Sequence, residues 1–427
     1  MKPALTLSSA FLQPSSDALP QPLLELRQQR GTALVDMPLP TRKTENWKYS
    51  SKHLKLSDEL AASLPAGQAE TSIADSGYRV VFRNGVIDPG ASRLPATDGV
   101  KIQRFTDLSH DEAAILAERL DNTLDPGATQ MARLNSARFE DGLLITLSPE
   151  AVLAEPLFVI HEVTGTASGS AFPRIYVDAG RHSQMTLVEE YLSSGDEPVM
   201  VDAVTEFMVA EGAQITSIRL NAEYQNVQHI GATGVRQQRS SRFESHCVGF
   251  GGPLRRHDLQ LRLEGEGAEC KLNGVVVTQD RQHYDNHTSI EHVAAHCNSE
   301  ENYRNIAADD SHAVFNGRIY IHQDAQKSNA DMNNKNLLLS TGAEIDTKPE
   351  LEIYTDDVKC AHGATIGQLD DESLFYLVTR GIARREAKVL LTMAFINELV
   401  RQIPVEQVRD SANERLNRFF TKTFEEA

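Results

Sequence analysis

The sequence predicts a mainly β fold, in which a stack of β-coils lies between a mixed, partly helical N-terminal region and a helical C-terminal region. From about residue 141 to 368, short β-rich runs follow one another with almost no helical pattern between them. Corners of small residues separate several runs, at 178–180, 211–213, 265–268 and 341–343. A β-sandwich uses about half this length, whereas a β-helix takes up the whole segment. We therefore predict three domains: 1–140, 141–368 and 369–427.

The N-terminal domain shows helix and hairpin signals before the first long β-rich run. A short helical run begins at Leu23, directly after Pro22. Residues 78–87 alternate as a strand, a turn and a second strand, and Asn84-Gly85 is the dipeptide that favours a hairpin turn. Residues 110–124 carry apolar side chains at helical spacing. This part of the chain is therefore expected to be mixed rather than purely helical.

Beyond Gln368 the pattern becomes helical. Acidic residues at 370–372 suit a helix N-terminus, and Gly381 and Pro404 divide the remainder into three helices. Apolar side chains recur at three- and four-residue spacing in each helix. These apolar stripes either close the end of the β-domain or offer a face to a partner protein.

Charge and cysteine content exclude several classes of protein. The chain has 427 residues, with 42 basic and 60 acidic side chains and a net charge of -18, which disfavours binding to nucleic acid or to an anionic membrane. Four cysteines without a CxxC pair argue against a disulfide framework and against a zinc ribbon. No signal-peptide pattern or membrane-spanning stretch is evident, so a cytoplasmic protein is expected.

The common nucleotide and hydrolase motifs are absent from the sequence. There is no Gly-Lys dipeptide and hence no P-loop, no GxGxxG fingerprint after a strand, and no GxSxG elbow. If ATP drives the function of this protein, a separate subunit must hydrolyse it.

Cys360 and His362 are the strongest candidates for chemistry. They are two residues apart in a run that begins as an alternating strand, so both side chains are expected on the same face. A thiolate and an imidazole side by side can share a soft metal or form a nucleophile–base couple. We expect Lys359 and His362 to favour the thiolate form of Cys360. The alternative is an incidental pair at a domain edge.

A second ionisable cluster spans residues 283–297, where four of the 14 histidines lie: His283, His287, His292 and His296. His292 and His296 are weak candidates for metal ligands, because HExxH is not matched and the context favours strands. Hydrogen-bonded histidines lining β-coils are the alternative. The competing function is a metal-dependent enzyme built on a β-helix. Cys247 and Cys270 lie in strand-like runs and are expected to be buried.

Several motifs together resemble the SufB/SufD family of iron–sulfur cluster assembly. The C-terminal block is the most specific, with Asp357-Val-Lys-Cys-Ala-His-Gly followed by Leu374-Phe-Tyr-Leu-Val-Thr-Arg-Gly. Thr41-Arg-Lys-Thr-Glu-Asn-Trp-Lys-Tyr, His296-Cys-Asn-Ser-Glu-Glu-Asn-Tyr-Arg and Phe315-Asn-Gly-Arg also fit. The resemblance therefore spans most of the chain, and the Lys-Cys-x-His-Gly run places it on the SufD-like side of the family.

The resemblance implies a right-handed parallel β-helix between helical end domains. It implies a heterodimer with a SufB-like paralogue and one bound SufC-like ABC ATPase for each chain. His362 would lie at the heterodimer interface with Cys360 beside it, and would complete a site for a transient iron–sulfur cluster shared with the partner. The C-terminal helices, with Leu391, Phe395 and Leu399, would form the ATPase dock. The resemblance also implies a flavin in the whole assembly, which these residues do not place. A homodimer in isolation is a further expectation, because a β-helix leaves side surfaces free.

Overall fold

The computed structural model describes residues 7–12, 17–35, 38–64, 77–125 and 130–425. Strands make up 44% of the chain and helices 23%, which confirms the predicted mainly β class. The strands in chain order are β1 (Tyr78–Arg83), β2 (Val86–Ile87), β3 (Val100–Arg104), β4 (Leu143–Leu147), β5 (Leu157–Gly165), β6 (Gly169–Ala171), β7 (Arg174–Ala179), β8 (Gln184–Gly195), β9 (Val199–Val209), β10 (Gln214–Asn221), β11 (Val227–Gln237), β12 (Arg242–Phe250), β13 (Leu254–Leu263), β14 (Glu269–Thr278), β15 (His283–His292), β16 (Asn298–Ala307), β17 (His312–Ile321), β18 (Asn329–Leu338), β19 (Glu344–Ile353) and β20 (Lys359–Gln368).

The described residues form six α-helices, which lie toward the two ends of the chain: α1 (Gln21–Leu34), α2 (His110–Arg119), α3 (Gln130–Arg138), α4 (Asp371–Thr379), α5 (Arg384–Val400) and α6 (Glu406–Thr423). Short 3-10 helices occur at Ser9–Leu12, Glu45–Trp47, Asp58–Ala61 and Phe105–Asp107. Among the described residues, no helix is both long enough and apolar enough to cross a membrane.

The strands stack as a parallel β-helix of about eight turns, as the sequence predicted. Consecutive strands alternate between two sheets, so that β8, β10, β12, β14, β16, β18 and β20 are neighbours in one sheet. Strands β7, β9, β11, β13, β15, β17 and β19 follow one another in the second sheet. Each strand therefore hydrogen-bonds to the strand one coil before it, and apolar side chains from both sheets fill the interior of the rod.

The N-terminal segment joins this architecture through a hairpin. Strand β1 pairs in parallel with β5 and antiparallel with β2, so the N-terminal region extends the first sheet. Asn84 and Gly85 have φ values of 53° and 90°, which is the left-handed conformation that the tight hairpin turn requires. The predicted hairpin is thus confirmed. Helix α2 begins at a capping box formed by Ser109 and Glu112, and it ends at Arg119, before the expected residue 124.

The C-terminal helices pack on the outer face of the first sheet. Ile396 and Val400 of α5 and Phe420 of α6 belong to one apolar cluster with outward-facing strand residues such as Val275 and Ile306. Asp370 caps α4 by accepting a hydrogen bond from the Ser373 amide at 2.8 Å. The predicted division into three helices is confirmed, because Gly381 has φ 88° between α4 and α5, and Pro404 lies between α5 and α6.

Within the described residues, no further coil stacks on the last coil of the rod. Strands β19 and β20 are the terminal strands of their sheets, so each pairs with one neighbouring strand within this chain. Pro349 lies within β19, and an edge strand tolerates a proline because one side of its ladder is unpaired. The end of the β-helix thus presents two open strand edges, and these edges determine where the candidate site lies.

Candidate functional site at the end of the β-helix

The open end of the rod is exposed along almost the whole of its last strand. Residues 361–368 of β20 are all exposed, and Cys360 is half-buried. Ile353, Tyr354 and Ile366 expose between 41% and 56% of their surface at this end. Edge strands with exposed apolar side chains tend to pair with another chain unless something covers them. This end of the molecule therefore has the character of an interaction surface.

Cys360 and His362 both lie on the inward-facing side of this terminal coil. In the register of β20, Cys360 is opposite Ala330 and His362 is opposite Met332, and both of these β18 residues are buried in the core of the rod. Side chains of a strand alternate between faces, so positions 360 and 362 continue the same two interior columns. His362 is exposed because the described part of the chain supplies no coil above it. The expected juxtaposition on one face is therefore present.

The structure corrects the expectation that the environment of Cys360 favours its thiolate. Partial burial raises the pKa of the Cys360 thiol, and a backbone hydrogen bond from Ala330 offsets only part of this effect. Lys359 projects to the opposite face of the strand because it is the adjacent residue. The thiol lines a groove of about 870 Å³ that also reaches Cys270, across the amino ends of five strands. An incoming cation or a partner side chain would have to promote loss of the proton.

The two weak metal candidates lie in different environments. His292 is fully buried at the end of β15, and its Nε2 is hydrogen-bonded to Ser299 Oγ at 2.8 Å. His296 lies in the following turn with φ 63°, and half of its side chain is exposed. Among the described residues, neither histidine belongs to a group of three or more potential metal ligands. The strand context predicted for residues 283–292 is confirmed.

The three residues expected at an ATPase dock differ in accessibility. Leu391 and Phe395 are half-buried on α5, and the Phe395 ring lies 5.5 Å from the Arg304 guanidinium. Leu399 is only 4% exposed and packs in the apolar cluster between helix and sheet, so its side chain stabilises the fold rather than forming a surface. Large apolar side chains that are exposed in this region include Phe375, Tyr376 and Leu390, at 69%, 57% and 51%.

A buried polar network inside the β-helix was not anticipated from the sequence. The Arg219 guanidinium lies 4.3 Å from the centroid of the Tyr191 ring, and the Tyr191 hydroxyl donates to Glu189 at 2.6 Å. Burial opposes ionisation of Glu189, but its hydrogen-bonded neighbours and Arg219 lower its pKa to about 2. Cys247 lies in the same interior, with Sγ 3.9 Å from Tyr284 Oη, and burial raises the pKa of its thiol.

The buried positions expected for Cys247 and Cys270 are confirmed, at 3% and 5% exposure.

No signal in the sequence distinguished the polar interior, because its members come from many separate coils. Arginine and glutamate at alternate positions of a strand look the same whether they face solvent or the inside of a closed rod. Within the rod, opposite charges in contact offset the cost of desolvation, and their fixed geometry favours one alignment of the coils.

Comparisons with known proteins identify the family of this chain. The family model described as SUF system FeS cluster assembly, SufBD core domain, matches residues 161–395. The iron-sulfur cluster assembly protein SufD of Escherichia coli is 31% identical over 402 residues, which cover 91% of each chain. A SufBD family protein of Synechocystis is 31% identical, over 91% of this chain and 89% of its own. SufD of Bacillus subtilis is 24% identical, over 95% of this chain and 96% of its own.

Proposed function

Because this chain belongs to the SufB/SufD family of iron–sulfur cluster assembly proteins, we propose that it is a non-catalytic scaffold subunit of a cluster assembly complex. In this proposal it pairs with a SufB-like paralogue and binds a SufC-like ABC ATPase in the cytoplasm. Nascent clusters are built at the interface between the two β-helices. ATP hydrolysis by the ATPase moves the subunits and strains that interface.

The observation that carries the proposal is the uncovered last coil of the β-helix. Strands β19 and β20 both end their sheets, and β20 is exposed along nearly its whole length. Backbone groups on such an edge gain most by pairing with a strand of another chain. A paralogue that ends in a similar coil would cover both edges at once. Such a contact would enclose the inward-facing columns of both rods, including His362 and Cys360.

His362 and Cys360 are suited to holding a cluster as cargo. Thiolate is the usual ligand of iron–sulfur clusters, and imidazole replaces it at some sites. A cluster that is to be transferred is best held by few ligands, at an interface that can open. In this proposal His362 supplies one ligand from this chain and the partner supplies the others. Cys360 has a secondary role because burial raises the pKa of its thiol.

The ATPase is proposed to dock on helices α4 and α5, which leave Phe375, Tyr376 and Leu390 exposed on the surface of the C-terminal region. Large apolar side chains at this exposure form the centre of many protein interfaces. The sequence itself carries no phosphate-binding loop, so nucleotide hydrolysis has to come from the docked subunit.

Co-purification tests the composition of the complex. A tagged full-length chain, expressed together with its SufB-like and SufC-like neighbours, is expected to bring down both proteins, and the purified chain alone is expected to lack ATPase activity. Recovery of neither neighbour from a folded, soluble chain would refute the scaffold proposal. Recovery of a second copy of this chain in place of the paralogue would assign the open edge to a homodimer.

A variant pair tests the site. In the purified complex, His362→Ala is expected to reduce cluster assembly, measured by iron–sulfide absorption, while Cys360→Ala has a smaller effect. His110→Ala is the matched control, because His110 is also exposed but begins helix α2, outside the last coil. All three variants should keep the melting temperature of the parent chain. If the His362→Ala complex assembles clusters as well as the parent complex, residues 360 and 362 have no role in cluster assembly.

A further inference from the structure

Three histidines from distant parts of the chain meet on the outer face of the second sheet. His283 of β15 and His312 of β17 are direct register partners, and their ring centroids are 4.8 Å apart. The N-terminal segment crosses over them, so that the His53 ring stacks on the His283 ring at 4.2 Å. One nitrogen from each ring can be chosen so that the three lie within 4.8 Å of one another.

Each of these rings has one buried nitrogen without a hydrogen-bond partner in the described part of the chain: His53 Nε2, His283 Nδ1 and His312 Nδ1. A buried polar atom left unpaired is unfavourable, so three such nitrogens on adjoining rings call for a partner. A cation that accepts all three lone pairs would satisfy them.

The surrounding hydrogen bonds fix the tautomer of two rings. Ser50 Oγ donates its proton to the Asp285 carboxylate, so its contact with His283 Nε2 at 2.8 Å requires Nε2 to be the donor. His312 Nε2 likewise lies 2.8 Å from a carboxylate oxygen of Asp346. In both rings Nδ1 is then the nitrogen with the free lone pair. A metal-binding histidine usually donates its other ring N–H to a hydrogen-bond acceptor, which fixes the orientation of the ring, and both of these rings do so.

We propose that His53, His283 and His312 form a binding site for a divalent first-row transition metal such as Zn²⁺. Three imidazole nitrogens with a fourth position open to water or to a carboxylate are a common ligand set for this class of ion. Glu344 and Asp346 form a second candidate group with His312 and supply negative charge next to the site. They offset Lys52, whose positive charge acts on His53 and His283.

The distances are compatible with this assignment. In a tetrahedral site with Zn–N bonds of about 2.0–2.1 Å, neighbouring nitrogens lie about 3.3–3.4 Å apart. The nitrogens, which lie within 4.8 Å of one another, have to approach by up to about 1.5 Å as the near-parallel stack of His53 on His283 opens. The bound ion would fasten the N-terminal segment to coils more than 200 residues away in sequence.

Metal titration of the full-length chain tests the proposal. The parent for this experiment is Cys360→Ser/His362→Ala, so that the open end of the rod contributes no ligands, and the protein is first stripped with a chelator. One equivalent of Zn²⁺ is expected to bind, and Co²⁺ in its place is expected to give the strong visible absorption of a four-coordinate site. His53→Gln should weaken Zn²⁺ binding at least tenfold and abolish that Co²⁺ absorption. His110→Ala, which removes an exposed histidine elsewhere, should change neither.

His53→Gln is chosen because the site lies at the border of the N-terminal segment, where a polar side chain of similar size keeps the packing. Melting temperatures in the presence of chelator verify that this variant is folded. Stoichiometric binding that is unchanged by His53→Gln would overturn the proposal, as would the absence of any one-to-one binding by the parent. Either result leaves the partner co-purification experiment unaffected, because the two sites share no residue.

Discussion

The proposed ATPase dock can be separated from the hydrophobic core by substitutions in the same helical region. Phe375→Glu and Leu390→Glu alter side chains that are 69% and 51% exposed, whereas Leu399→Ala alters one that is 4% exposed. If α4 and α5 present a docking surface, the first two changes should abolish or weaken binding without affecting the fold. The third should destabilise the fold while leaving the surface chemistry unchanged.

The exposed fractions set the expected magnitudes. Fully burying a phenylalanine side chain contributes about 1.5–3 kcal/mol, so covering the exposed share of Phe375 contributes about 1–2 kcal/mol. Each 1.4 kcal/mol is a factor of ten, which gives roughly 5- to 30-fold weaker binding before the cost of desolvating the new carboxylate is added. Leu399→Ala leaves a cavity in a packed cluster and should cost about 2–5 kcal/mol of unfolding free energy.

Titration calorimetry with the purified ATPase and urea denaturation of each variant give the two readouts. Phe375→Glu should lower the affinity by at least fivefold and change the unfolding free energy by less than about 0.5 kcal/mol. The reasoning fails if this variant binds the ATPase as tightly as the parent chain. It also fails if Phe375→Glu destabilises the chain as much as Leu399→Ala, since Phe375 would then act as a core residue.

Two further predictions concern buried charge. Arg174→Met should lower the unfolding free energy by about 3–5 kcal/mol in urea denaturation, because it leaves the buried Glu206 carboxylate without its ion-pair partner. The double variant with Glu206→Gln should recover part of this loss. A cost below about 1 kcal/mol for Arg174→Met alone would contradict the reasoning. Burial raises the pKa of Glu301 from 4.5 to about 7, so the folded state binds the proton of this carboxyl more tightly than the unfolded state does. The stability that this group contributes is therefore fully present below pH 4.5, and it is lost as pH rises through 7. Between pH 4 and pH 8, urea denaturation should show that the parent chain loses about 3 kcal/mol more stability, or gains that much less, than Glu301→Gln does. Identical pH profiles for the two chains would show that Glu301 titrates normally.

Much of the fold could be predicted from the sequence because its signals are local. Alternation within short runs, small-residue corners and the absence of helical stretches between them indicated stacked coils. The hairpin at Asn84-Gly85 and the breaks at Gly381 and Pro404 followed from backbone conformations that few other residues adopt. The coil repeat itself was not visible, because register partners such as Arg242, Glu269, Asn298, Asn329 and Lys359 are 27, 29, 31 and 30 residues apart.

The candidate site was partly accessible to the same reasoning. Strand alternation put Cys360 and His362 on one face, and their register partners place that face toward the interior. The prediction that the environment of Cys360 favours its thiolate was wrong, because the pKa of this thiol depends on burial by neighbouring coils rather than on adjacent residues. The resemblance placed Leu399 at the ATPase dock, whereas the helical stripe left open whether it faces the β-domain or a partner, because periodicity does not show which element covers an apolar stripe.

By itself, the sequence determined the class of fold, the order of its parts and the pair of residues at the end of the last strand, since each depends on neighbours within a few positions. The tertiary structure decided which strand edges stay open, which charges lie inside the rod, and that His53 meets His283 and His312. These features join segments that are tens to hundreds of residues apart. Their energies depend on burial and on distances across coils, and a linear pattern contains neither.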